Sequence, residues 1–315
     1  MSWHVETADA LPPLVGVDCP AVALGMMEAR LPPTYPPTPE GPIRVLAWRC
    51  DMPTAAAEAA RLLGASGSSL AFLAMQEAVP PSGAMDAIGA VARRLGAGHV
   101  AAMLGTEAVD AWCIAVETVG MISPQVMFKL GLERLPLMPG SARAGSPCAV
   151  LGQFAIDQVD VTFASVALEP SDGPDVRARQ MAMLLDRIDA YGRWLPVLIG
   201  GDMATTTFTP EELADAGRMR LVLHSAAQRL LLPVAHEPMF HLLRQRGYEW
   251  RPANLPLTPT GRSGPPGADR DQLYKRLWFF ARGLICDEPA VVPAMDTAGQ
   301  PMGSHDAIAL RIRPA

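Results

Sequence analysis

Hydrophobic positions along these 315 residues fall into short blocks whose spacing alternates between two periods. Ile43–Trp48 and Leu70–Met75 are predominantly apolar stretches of strand length. Val159–Leu168, Leu195–Ile199, Trp278–Leu284 and Ala307–Ile312 repeat that character. Between them the spacing turns helical. Ala55–Leu63 ends at Gly64, Met85–Leu95 follows, and Arg177–Tyr191 puts Met181, Leu184, Leu185 and Ile188 on one face. Residues 210–247 read as mainly helical, and Asn254–Asp271, rich in Pro, Gly and Thr, reads as a loop. Polar residues sit just past strand ends: Gln76 and Glu77 after the second strand, and Asp202 after a break at Gly200-Gly201. Residues 1–42 are a Pro-rich irregular leader, and 43–315 form one domain. Strands that alternate with helices predict a layered α/β protein with its site along one sheet edge.

Half of the residues are hydrophobic and 18% are charged, which excludes a disordered chain. The net charge of −6 disfavours a nucleic-acid-binding surface, because duplex DNA needs many Lys/Arg contacts to phosphate. Only two lysines occur, Lys129 and Lys275, and one asparagine, Asn254. The five cysteines are widely spaced without a CxxC pair, so neither a disulfide framework nor a zinc site is indicated. No basic and apolar leader resembles a secretory signal, and no apolar run is long enough to span a membrane. The expected compartment is the cytoplasm. The arginines at 177, 179, 187 and 193 read as solvated surface; those from Arg244 to Arg282 read as scatter or the lining of an anion groove. Trp48, Trp194, Trp250 and Trp278 read as packing residues.

Three positions stand out by placement: Glu77, Asp202 and His305, the last in Gly303-Ser-His-Asp just before the final strand. Carboxylates at strand ends are placed to hold a divalent metal or to activate water. Each also has an ordinary reading, as a cap, a turn residue or a loop histidine.

Six segments in order resemble the endonuclease/exonuclease/phosphatase family of DNase I-like phosphodiesterases. They are Arg44-Val-Leu-Ala-Trp-Arg-Cys, Leu73-Ala-Met-Gln-Glu, Val161-Thr-Phe-Ala-Ser-Val-Ala-Leu-Glu, Arg177-Ala-Arg-Gln-Met with Pro196-Val-Leu-Ile-Gly-Gly-Asp, Lys275-Arg-Leu-Trp-Phe-Phe, and Gly303-Ser-His-Asp-Ala-Ile. The resemblance implies a four-layer α/β sandwich, two packed sheets flanked by helices. It also implies Mg²⁺ or Mn²⁺ held by Glu77, with Asp202 and His305 as catalytic groups.

At the other family site positions the letters differ. Arg49 stands for an Asn, Trp112 for the Asn of a Gly-Asn pair, and Ala167 for a His. Ala204 replaces an amide, Leu277 the Asp that orients the catalytic His, and Ser304 the Asp of Asp-His. A second alignment, reading Ser-His-Asp inverted, makes Asp306 that carboxylate. Lost donors and a lost orienting carboxylate each weaken catalysis by orders of magnitude. Arg49 also brings a fixed cation to where a metal would sit, and is expected to pair with Glu77, with Asp202 or with both. Two functional readings follow. One is an impaired or inactive member that acts as a binding module. The other is an active phosphoester hydrolase with a rebuilt site, in which Asp202 activates water, His305 assists and Arg49 binds phosphate. A phosphate-containing ligand suits both, and a different α/β protein is the third reading.

Overall fold

The computed structural model describes residues 4–6, 26–30, 42–49, 70–78, 99–106, 114–122, 127–136, 148–156, 159–168, 173–205, 237–255, 275–296, 298–300 and 305–315, with positions 233, 258, 260, 261 and 301. Among them the strands are β1 (His4–Glu6), β2 (Met26–Arg30), β3 (Ile43–Arg49), β4 (Leu70–Ala78), β5 (His99–Thr106), β6 (Ile114–Ile122), β7 (Met127–Pro136), β8 (Cys148–Ile156), β9 (Val159–Ala167), β10 (Val197–Asp202), β11 (Leu277–Arg282), β12 (Leu284–Val292) and β13 (Ala307–Pro314). The helices are α1 (Pro174–Gly192) and α2 (Pro238–Gln245). Each starts on a proline at the first turn, where a missing N–H costs nothing.

The strands form two sheets, one of eight in the order β1-β2-β5-β6-β4-β3-β13-β12 and one of five in the order β11-β10-β9-β8-β7. β3 with β4 and β9 with β10 run parallel. Strand alternation divides the apolar residues into two layers. Ile43, Val45 and Ala47 of β3 meet Phe163, Leu198, Leu277, Phe279 and Leu310 between the sheets. The other face of the five-stranded sheet presents Val166, Ile199, Trp278 and Phe280 to Leu184, Leu185 and Ile188 of α1 and to Met239, Phe240 and Leu243 of α2. Phe240 stands edge-on to Trp250, Trp278 and Phe280, with centroids 5.7, 5.0 and 5.1 Å away. Each such buried side chain contributes about 1.5–3 kcal/mol of transfer free energy. No described helix is long and apolar enough to cross a membrane.

The α/β sandwich expected from the sequence is present. The helices expected at 55–63 and 85–95 lie outside the described residues. Several expectations change. Residues 1–42 are not wholly irregular, because β1 and β2 fall there and β2 pairs antiparallel with β5. Such short segments carry little periodic signal, and a neighbouring strand supplies their hydrogen bonds. β10 is not broken at Gly200-Gly201 but runs on to Asp202, since β9 and β11 pair with it along its whole length. Gly200 is there for packing: a Cβ would stand 2.5 Å from Phe279 Cε1. β4 likewise extends through Gln76 and Glu77. Trp194 is 86% exposed rather than packed, and Arg177 is buried rather than solvated.

Candidate functional site

The carboxyl ends of β3, β9 and β10 and the starts of β11 and β13 meet at one edge of the sandwich. Ligands of open α/β sheets favour such carboxyl ends. Asp202, the last residue of β10, lies between Ala167 on β9 and Leu277 on β11 in the ladder. All three share the face turned toward β3, as their register with the inter-sheet core residues requires. Arg49, the last residue of β3, is in phase with Val45 and Ala47 and so faces them from the opposite sheet.

Arg49 Nη1 donates to Asp202 Oδ2 at 2.7 Å. Arg276 adds a fork, Nε to Oδ1 at 3.0 Å and Nη2 to Oδ2 at 2.9 Å. The Ala204 N–H donates to Oδ1 at 2.8 Å, closing a turn of Asx type. A carboxylate offers about four lone-pair sites, and these four bonds use them. Asp202 is 2% exposed. Burial alone would raise its pKa, but the charges of Arg276 and Arg49 and the donated hydrogen bonds outweigh burial and hold it below the ordinary value. Arg276 is the site residue that sequence reading missed. Its place directly before Leu277, opposite Asp202 in the ladder, was the available signal.

The remaining frame is backbone. Thr260, fully buried, accepts from the Arg276 and Leu277 N–H groups at its hydroxyl, at 3.2 and 3.3 Å, and its carbonyl accepts from Asp306 N. Gly261 bridges to His305, and Trp48 Nε1 donates to the His305 carbonyl at 3.1 Å. Thr260 and Gly261 thus tie the start of β11 to the start of β13 and hold His305 at the edge, buried. The Asp306 carboxylate accepts from Ala294 N at 2.9 Å, fastening β13 to the end of β12. Lys275 is 1% exposed; its Nζ donates to Thr258 O at 3.3 Å and stands 4.9 Å from the Trp278 ring centroid. Burial pulls its pKa down to about 7.

Of the sequence-derived residues, Asp202, Arg49, Ala167, Ala204, Leu277 and His305 therefore gather at one edge. Glu77 stands in β4, one residue past Gln76, which pairs with Arg49 in register; the Glu77 side chain lies outside the described residues. Trp112 and Ser304 also lie outside them. Leu277 is fully buried in the inter-sheet core. Ala204 holds φ 51°, a left-handed conformation easy for Asn and costing other residues about 1–2 kcal/mol, so the turn has the shape of an amide position without the amide.

The described residues do not fit a divalent metal. The Asp202 carboxylate has its acceptor positions taken, and two guanidiniums lie against it. A further cation about 4 Å from each would be repelled by about 4 kcal/mol per unit charge at an effective dielectric near 20. Among the described residues no three His, Cys, Asp or Glu side chains cluster to hold a metal ion.

No family model matches the chain, and no curated protein does. Solved structures do. An endonuclease/exonuclease/phosphatase from Bacteroides vulgatus superposes with a TM-score of 0.61 at 9% identity, over 88% of this chain and 100% of that one. One from Beutenbergia cavernae gives 0.59 at 14% identity over 87% and 72%. D. rerio TDP2 humanized by 14 mutations gives 0.57 at 14% identity over 86% and 99%. At such identities the likeness is one of architecture, and the chain has the DNase I-like α/β sandwich fold of the endonuclease/exonuclease/phosphatase proteins.

Proposed function

We propose that this chain keeps a phosphodiesterase-type scaffold without metal-dependent hydrolysis, and uses the Asp202 edge to bind an anionic, phosphate-containing ligand. The observation that carries this reading is the full set of hydrogen bonds on Asp202. A general base needs a free lone pair within reach of the attacking water and a pKa near the working pH. Asp202 has its lone pairs taken and its pKa lowered. Arg49 and Arg276 both reach this edge, and arginine is the residue suited to hold an oxyanion. The acidic charge of the whole chain still argues against duplex nucleic acid as that ligand.

The test is hydrolysis of bis-p-nitrophenyl phosphate with Mg²⁺, with Mn²⁺ and with EDTA, against Asp202→Ala. The expected result is turnover no greater than that of the variant and unchanged by EDTA. Metal-dependent turnover that disappears in Asp202→Ala would overturn the reading. It would favour the rebuilt hydrolase, with Asp202 activating water, His305 assisting and Arg49 on the phosphate.

A further inference from the structure

α1 buries one face against the five-stranded sheet and α2, and turns the other outward. On the outer face Arg179, Met183, Asp186, Arg187, Ala190 and Trp194 are all exposed. At 3.6 residues per turn the six fall within about 100° of the circumference, in one stripe about 22 Å long. Trp194 continues the stripe because Arg193, the C-cap, keeps helical angles of φ −62° and ψ −23°. Single exposed apolar residues are ordinary on a protein surface. Here three lie in one stripe, with Met183 38% exposed and Trp194 86%.

The stripe is complementary to itself when a copy is laid alongside in the opposite direction. With a two-fold axis passing between Asp186 and Arg187, Asp186 meets Arg187 of the second copy, Met183 meets Ala190, and Arg179 meets Trp194. Acid faces base, a large side chain faces a small one, and a guanidinium faces an indole. Two-fold symmetry makes each of these meetings twice. A parallel copy in register would instead set Asp186 against Asp186 and Arg187 against Arg187. The two central charges are already braced. Asp186 Oδ1 accepts from Arg246 Nη2 at 2.7 Å, and Arg187 Cζ lies 5.4 Å from the Tyr191 ring centroid. Bracing lowers the ordering cost of an interface.

We propose that a second copy of this chain docks antiparallel on the outer face of α1, forming a two-fold symmetric dimer. The face lies on the opposite side of the five-stranded sheet from the inter-sheet layer that Asp202 shares, so the inference is independent of the reading of that edge. One helix face from each copy buries less than the roughly 1,200–2,000 Å² of a standard interface, so the dimer is weak, with a Kd between roughly 1 µM and 1 mM.

The test is sedimentation equilibrium of the full chain at concentrations up to about 1 mM. The weight-average mass of the wild type is expected to rise with concentration from that of one chain toward that of two. Asp186→Arg and Arg187→Asp each set like charges across the axis, and each is expected to stay monomeric alone. Mixed one to one, they put an acid opposite every base and are expected to associate, a result that also shows both to be folded. The double variant Asp186→Arg with Arg187→Asp restores the pairing with its signs exchanged and is expected to dimerise as the wild type does. Trp194→Ala is expected to raise the Kd severalfold. A wild type that stays monomeric up to about 1 mM overturns the proposal and leaves the face to a partner of other chemistry. Dimerisation of either single charge variant as strong as that of the wild type places the contact elsewhere and overturns it too. So does failure of the mixed variants to associate.

Discussion

Arg276 grips Asp202 through two parallel hydrogen bonds of 3.0 and 2.9 Å, from the position immediately before the residue that faces Asp202 across the β10–β11 ladder. Arg49 reaches the same carboxylate from the other sheet. The carboxylate is thus an electrostatic tie between the two sheets at the edge where the fold opens, and its two cations come from different layers.

The two arginines are unequal partners. Arg276 supplies two bonds in fork geometry and Arg49 one. Removing one partner of a buried ion pair leaves a desolvated charge and costs about 3–5 kcal/mol when no partner remains. Here one remains in each case, so the losses are smaller: about 2–3 kcal/mol for Arg276→Met and about 1 kcal/mol for Arg49→Met. Urea unfolding of both variants checks the order. Equal losses, or a larger loss for Arg49→Met, would contradict it.

The same pairing predicts indifference to divalent metal. Millimolar Mg²⁺ or Mn²⁺ raises the Tm of a protein by RT ln(1 + [L]/Kd) only if a site exists in the folded state. The wild type is expected to show no saturable rise. A saturable rise in the wild type, abolished in Asp202→Ala, would show that the arginines yield to the ion.

Much of the architecture was readable from the chain, and the reasons are local. β9 and α1 carry strong, uninterrupted patterns, and the sequence places both to within a few residues. The stretch from 99 to 156 offered no such pattern, yet it folds into β5 to β8, because ladder pairing with neighbours decides those strands more than their own alternation does. The edge residues were found from strand ends and from the family resemblance. Arg276 escaped because a lone arginine in a basic region looks like surface until the ladder puts it beside an acid.

Gly200 tests whether β10 is fixed by packing. A methyl group there would stand 2.5 and 2.7 Å from two atoms of the Phe279 ring. The ring is fully buried, so it has little room to give. Gly200→Ala is expected to destabilise by about 2 kcal/mol. Adding Phe279→Leu should recover part of that loss, a coupling that a double-mutant cycle measures. Independent, additive losses would place the strain elsewhere.

Lys275 gives the stability a distinct pH dependence near neutrality. Its folded-state pKa is about 7, below the unfolded value of about 10.4. Between those values the unfolded chain holds a proton that the folded chain has released, so folding becomes more favourable as pH rises. Cys286, whose thiol burial raises to about 11, acts in the opposite direction once the unfolded thiol ionises above about pH 8.5. The clean window is therefore pH 7 to 8.5. Over that window the wild type should gain stability relative to Lys275→Met, which has no proton to lose. At pH 7 the variant should be the more stable of the two, because it buries no ammonium. Parallel stability curves for the two proteins from pH 7 to 8.5 would mean that the lysine keeps its proton, held by Thr258 O and the Trp278 ring more firmly than burial opposes it.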